Sequence, residues 1–180
     1  MLYLVRHGRT AQNAARRLLG RMDVPLDDVG VRQAQALGTV ASLTGAARVV
    51  SSPLERARAT AAALGLPVEV DDRWTEIDYG VFDGAELTAA ADLWVGWDAD
   101  LEYRPPGGES LADLGRRVRA ACSDVWEEAA DRDVVVVSHV SPIKAAVAWA
   151  LGVGDEIGWR TFLDTGSITE IGPGRKGPVL

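Results

Sequence analysis

Short apolar runs alternate with longer segments of helical periodicity along this 180-residue chain. Leu2 to Val5 is apolar and ends at Arg6-His7-Gly8, the pattern of a buried strand followed by a turn. Thr10 to Ala15 reads as a short helix. From Asp28 to Leu43, apolar residues at Val31, Ala34, Leu37 and Ala41 recur near helical spacing and predict one continuous helix. Arg48 to Ser51 is a second short strand, and Pro53 suits the first turn of a helix running to Leu64. Pro67 to Val70 predicts a third strand. Leu111, Leu114, Val118, Cys122, Val125 and Ala129 form one apolar stripe of a long helix, opened by a capping-box pattern at Ser110 and Asp113. Val134 to Val137 is an unbroken run of valines, as expected of a strand buried on both faces. A helix from Ser141 or Pro142 to Leu151 follows, closed by Gly152, and a last strand covers Ser167 to Ile171.

Strands alternating with helices predict an α/β fold, a three-layer α/β/α sandwich around a mostly parallel central sheet. The breaker cluster Arg104-Pro105-Pro106-Gly107-Gly108 lies between periodic segments and reads as a loop within one domain spanning residues 1–180. The tail from Gly172 to Pro178 carries three glycines and two prolines and is expected to be poorly ordered. In parallel sheets, ligands gather at the carboxyl ends of the strands. The first strand runs into Arg6-His7, the valine strand runs into Ser138-His139, and the second strand stops just before Arg56. A shared edge would bring both histidines and several arginines together.

Composition narrows the chemistry. The chain has one cysteine and two histidines, which excludes an intramolecular disulfide, a cysteine-rich zinc site and a three-histidine metal centre. No metal or other cofactor is expected. The formal net charge of −7, from 19 basic and 26 acidic residues, argues against nonspecific nucleic-acid binding. It does not argue against a small anion, which responds to the local field of its pocket. The N-terminus has no charged, apolar leader pattern and no apolar run approaches membrane-spanning length. The expected setting is cytoplasmic, with no membrane partner. Oligomeric state is left open, a homodimer included.

Five ordered blocks carry a resemblance. They are Leu4-Val5-Arg6-His7-Gly8-Arg9-Thr10 with Asn13, Ser51-Ser52-Pro53-Leu54-Glu55-Arg56-Ala57 with Thr60-Ala61, Glu76-Ile77-Asp78-Tyr79-Gly80 with Asp83-Gly84, Pro106-Gly107-Gly108-Glu109-Ser110, and Val136-Val137-Ser138-His139. Together they resemble the histidine phosphatase superfamily, also called phosphoglycerate-mutase-like. The resemblance implies a metal-independent phosphatase acting on a small phosphorylated metabolite through a phosphohistidine on His7. It also implies a hydrogen bond from the other ring nitrogen of His7 to a carbonyl in the Gly8 turn. Arg6, Arg56, Asn13 and His139 would bind the transferring phosphoryl group. Glu76 would be the general acid, with Asp78 and Asp83 as fallbacks, and a small cap insertion at about residues 84–109 would cover the pocket.

The chain departs from the family pattern at three places. Arg9 replaces a common glutamate, and either enlarges the positive pocket or points to solvent. Val140-Ser141-Pro142 replaces a glycine after His139, so the oxyanion geometry is expected to differ slightly. Ser141 is expected to cap the following helix, which would aim its N-terminus at the phosphate and carry Lys144 one turn in. Asp83 also replaces a glutamate. Trp94, Trp97 and Tyr103 fall in the cap region, where they either touch substrate or pack the cap; Cys122 reads as core. A cofactor-dependent phosphoglycerate mutase is the alternative within enzymes. Mutases of the family carry larger insertions than the roughly 25 residues between Gly84 and Ser110, which favours hydrolysis. A non-catalytic phospho-ligand regulator would be expected to lack a nucleophile, arginine or acid, and all three are present.

Overall fold

The computed structural model describes residues 1–180. Six strands form one sheet: β1 (Leu2–Arg6), β2 (Arg48–Ser51), β3 (Val68–Val70), β4 (Val134–Ser138), β5 (Ile168–Gly174) and β6 (Gly177–Val179), in the order β3-β2-β4-β1-β5-β6. The first four are parallel, while β5 runs antiparallel to β1 and β6 antiparallel to β5. The helices are α1 (Ala11–Ala14), α2 (Asp28–Leu37), α3 (Ala41–Thr44), α4 (Glu55–Ala62), α5 (Ala91–Ala99), α6 (Leu111–Ala129) and α7 (Val140–Leu151).

Strand alternation divides the apolar residues into two cores. Leu2, Leu4, Val134 and Val136 pack against α5, α6 and α7, and Tyr3, Val5, Val135 and Val137 pack against α2, α3 and α4. Both faces of the sheet are covered, which is why β1 and β4 read as continuous apolar runs rather than as alternating ones. The result is the expected α/β/α layering with a mostly parallel sheet.

Several elements differ from the sequence reading. The helix expected over 28–43 ends at Leu37, and Ala41–Thr44 forms a separate turn. Gly38 closes α2, and a Cβ there would come within 2.3 Å of the Ala63 carbonyl, so the chain bends where α2 meets the end of α4. Val31 and Ala41, two members of the predicted stripe, are exposed. Pro53 precedes the Leu54 cap and stands outside α4, which ends at Ala62. The tail expected to be disordered is a β-hairpin. Gly177 adopts a φ of 128° in its turn, and Pro173 faces Pro178 near the sheet edge, where a missing N–H is tolerated.

α6 begins at Leu111 with the Ser110 side chain accepting from the Asp113 N–H, as the capping pattern predicts. The cap comprises a 3-10 turn (Leu87–Ala90) and α5, with Leu93 and Trp97 buried beside α6. No helix is long and apolar enough to cross a membrane.

Candidate active site

Sheet register alone juxtaposes the two histidines. Arg6 of β1 pairs with Ser138 of β4, so the next residues, His7 and His139, leave neighbouring strands side by side. Their ring centroids are 5.0 Å apart. Ser51 of β2 pairs with Val137, which sets Ser52 on the far side of His139. The Ser52 hydroxyl lies 2.7 Å from His139 Nε2, both residues being fully buried, while His139 Nδ1 has no protein partner.

His7 Nδ1 lies 2.7 Å from the Gly8 carbonyl. That acceptor fixes the proton on Nδ1 and leaves Nε2 with a free lone pair. The turn is clamped by the Gly8 N–H donating to Thr60 Oγ1 at 3.0 Å. A Cβ on Gly8 would stand 2.5 Å from the Gly30 carbonyl, so only glycine lets the turn lie against α2. Burial first, and then the Arg56 and Arg6 cations, hold His7 well below the ordinary imidazole range. The same causes act on His139, with His7 adding to them. Both rings are therefore neutral at pH 7.

Arg56 is fully buried. Its Nη1 and Nη2 donate to the carbonyls of Met22 and Gly20, each at 2.8 Å, and its Nε approaches His7 Nε2 at 3.3 Å. Arg6 donates through Nη1 to the Leu163 carbonyl at 2.7 Å, while its Nε is buried without a protein partner. Arg56 thus sits at the Nε2 edge of His7, and Arg6 adds a second cation felt by the ring, with its Nε–H unused.

Glu76 is 4% exposed. Its Oε1 accepts from the N–H groups of Ile77 (2.8 Å) and Ser141 (3.2 Å). Burial raises its pKa, partly opposed by those hydrogen bonds and by Arg56 and Arg6. A cavity of about 780 Å³ opens over these groups. Arg6, His7, Arg9, Asn13, Glu76, Ser141 and Lys144 line it, whereas the fully buried Arg56 and His139 touch His7 and Ser52 without bordering it.

The remaining expected site residues divide clearly. Asp78 accepts from the Gly80 N–H within its own turn, and Asp83 from the N–H groups of Gly20 and Met22 in a distant segment; neither lines the cavity. Arg9 borders the cavity but is paired to Asp27 at 2.8 Å, which reduces its free charge. Asn13 uses Oδ1 to accept from the Thr10 N–H and hydroxyl, which leaves its amide N–H groups for the cavity. Ser141 does not cap α7. His139 occupies that position and Ser141 sits in the first turn, where its backbone N–H holds Glu76. Val140 is the first helical residue and needs no positive φ, so its branched side chain imposes no strain on the turn after His139. Lys144 donates to the Gly158 carbonyl at 2.7 Å. Trp97 and Tyr103 pack the cap, the Trp97 Nε1 donating to the Tyr103 carbonyl, and Trp94 and Trp97 both line the cavity. Cys122 is buried in the α6 core.

Sequence reasoning gave no role to Ser52, Tyr79, Trp159 or Phe162. Ser52 and Tyr79 sit inside matching blocks, so their proximity to His139 and Glu76 had a signal; Trp159 and Phe162 follow α7 in a stretch without periodicity.

Comparison with known proteins adds an independent line. The profile of the histidine phosphatase superfamily (branch 1) matches residues 2–180. The Bifunctional protein Rv2228c of Mycobacterium tuberculosis is 41% identical over 177 residues, covering 93% of this chain and 49% of that protein. The chain thus spans about half the length of that relative. The Probable phosphoglycerate mutase GpmB of Salmonella paratyphi C is 36% identical over 165 residues, covering 83% of this chain and 77% of the relative. Among solved structures, the mycobacterial glucosyl-3-phosphoglycerate phosphatase in complex with VO3 superposes with a TM-score of 0.82 at 31% identity, covering 94% of this chain and 91% of that one.

Proposed function

The chain belongs to the histidine phosphatase superfamily, and from that premise we propose that it hydrolyses small phosphate monoesters through a phosphohistidine on His7. The observation that carries the reading is the neutral His7 ring, pinned at Nδ1 by the Gly8 carbonyl, with Nε2 beside Arg56. A neutral imidazole attacks phosphorus without a base to deprotonate it.

In the first half-reaction, the Nε2 lone pair forms the N–P bond and the ester P–O bond breaks. The departing alkoxide takes a proton from Glu76 and leaves as the alcohol. Arg56 Nε–H points at the Nε2 lone pair and must pass to a phosphoryl oxygen as the N–P bond forms. Arg6 Nε–H and the Asn13 amide supply further donors for the equatorial oxygens. In the second half-reaction, the Glu76 carboxylate takes a proton from water. The resulting hydroxide bonds to phosphorus, the N–P bond breaks, and phosphate leaves with His7 neutral and Glu76 protonated again. Burial of Glu76 favours its protonated form at the start of each cycle.

The substrate class rests on the names of the relatives, a glucosyl-3-phosphoglycerate phosphatase and a phosphoglycerate mutase, both of which point to phosphorylated small metabolites. The mutase reading draws on that second relative. Incubation with a ³²P-labelled aryl phosphate and acid-free quenching should trap label on protein, lost in His7→Ala together with phosphate release. Turnover retained by His7→Ala would sink the mechanism. Label moving from 2,3-bisphosphoglycerate to 3-phosphoglycerate faster than to water would favour the mutase.

A further inference from the structure

We propose that the cavity above His7 selects phosphate monoesters whose leaving group carries a flat aromatic or similarly bulky apolar body, with Trp94, Trp159 and Phe162 as its contact residues. The inference rests on the hydrolase reading above and names the substrate class of the same site.

Size is the first observation. At about 780 Å³ the cavity falls in the range that takes a drug-sized molecule, roughly 300–1,000 Å³. A phosphoryl group on a two- or three-carbon alcohol leaves most of it unused. Chemistry is the second. The apolar part of its wall includes Leu87, Trp94, Leu111, Leu114, Trp159 and Phe162, with Arg16, Arg17 and Asp155 also on the lining. Trp94 and Trp159 meet edge to face, with centroids 6.3 Å apart at 86°. Trp159 is 46% exposed and Phe162 87% exposed, so each presents apolar surface that the protein itself leaves uncovered.

The third observation is that this wall is held in place. Trp159 lies in the 3-10 segment Asp155–Arg160, and Phe162 follows it closely. Three cations from three elements tie the stretch down. Arg119 of α6 forks onto both Asp155 carboxylate oxygens at 2.9 and 2.5 Å. Lys144 of α7 donates to the Gly158 carbonyl, and Arg6 of β1 donates to the Leu163 carbonyl, each at 2.7 Å. Aromatic rings on a pinned segment lose little freedom when a ligand stacks on them. Lys144 is thereby a positioning residue for the aromatic wall, and Arg6 joins the phosphate end of the cavity to its apolar end.

The test compares methyl, benzyl and 2-naphthylmethyl phosphate, whose leaving alcohols have similar acidity, so differences report binding of the body rather than bond strength. kcat/KM should rise at least about tenfold from methyl to 2-naphthylmethyl phosphate. Trp159→Ala and Phe162→Ala should each lower the ratio of the two kcat/KM values about tenfold. Phe162 is so exposed that its truncation leaves folding intact. Equal kcat/KM for the three esters, or a ratio unmoved in both variants, would overturn the proposal. Binding of methylphosphonate and 2-naphthylmethylphosphonate, which cannot be hydrolysed, is read in parallel by calorimetry. Preference for the naphthyl compound, lost in both variants, without turnover of any ester would overturn the hydrolase reading and keep the wall. Turnover without preference would do the reverse. A dimer that dissociates in Trp159→Ala with the ratio unchanged would assign the patch to a second copy of the chain, and also overturns the proposal.

Discussion

Glu76→Gln separates the chemistry of the site from its architecture. The carboxyl uses Oε1 to accept from Ile77 N–H at 2.8 Å and Ser141 N–H at 3.2 Å. A glutamine carbonyl oxygen of the same reach accepts both bonds, so the turn at Ile77 and the start of α7 stay anchored. Stability should move by less than about 1 kcal/mol, which is roughly 2–4 °C in Tm for a chain of this length. The amide cannot deliver a proton to a leaving alkoxide. Loss of a positioned general acid costs about 10²–10⁴ in rate, or about 3–5 kcal/mol of barrier. An aryl ester such as p-nitrophenyl phosphate, whose leaving group departs as a stable anion, should lose less than about tenfold by the same logic. Steady-state kcat/KM on benzyl and p-nitrophenyl phosphate, measured across pH, is the assay. With benzyl phosphate, the alkaline limb of the wild-type profile should report deprotonation of Glu76 and disappear in the variant. Burial raises the Glu76 pKa, which moves that limb toward neutral pH. Equal losses on the two esters, or an alkaline limb that survives the substitution, would refute the assignment and move the proton donor elsewhere.

Ser52→Ala removes the hydroxyl 2.7 Å from His139 Nε2 in a fully buried setting and leaves both ring nitrogens without a partner; it should cost about 1–3 kcal/mol in urea unfolding and lower kcat, and a loss below about 0.5 kcal/mol would contradict it. Activity should withstand EDTA, because Arg6 and Arg56 supply the positive charge that a metal would otherwise bring; activity lost to EDTA and restored by a divalent ion would be the contrary result. Stability should fall on acidification, because the unfolded chain protonates His7 and His139 below about pH 6.5 whereas burial and Arg56 keep both neutral in the fold. The contribution is complete above that pH and lost below it at up to about 1.4 kcal/mol per pH unit for each histidine. Glu76, raised by burial, acts in the opposite sense at lower pH and offsets part of the slope. A urea midpoint that is flat between pH 7 and 5.5 would refute this account.

The parts of the molecule that could be read from its sequence are those whose signal is local. β1 and β4 are covered on both faces, so each is apolar up to its last residue, Arg6 or Ser138, where the strand ends. Parallel pairing of these strands then brings His7 beside His139 without further information. α6 was legible because one face meets the core over 19 residues with a serine cap in front. Other features depended on contacts between distant segments. The break in α2 reflects the approach of Gly38 to Ala63, and nothing in the sequence around Gly38 marks Ala63 as its neighbour. The displacement of Ser141 from the cap position follows from His139 turning directly into α7, which puts the Ser141 N–H on Glu76. Arg9 could be placed only once Asp27 was seen to reach it across 18 positions.

The stretch around Trp159 is the extreme of that contrast. Its backbone is fixed by side chains 14, 36 and 157 positions away, from Lys144, Arg119 and Arg6. None of those distances produces a repeat, and a segment held by its carbonyls and one carboxylate has no need of an apolar stripe. The absence of periodicity that made it look like a plain connection is therefore a consequence of how it is anchored. The proposed phosphate site draws on residue types that the chemistry restricts, a histidine pair, two arginines and one acid, and so it survives as motif. The apolar end asks only for exposed rings at suitable heights. That requirement can be met by many sequences, so the part of the site proposed to distinguish one ester from another lies where the sequence pattern is weakest.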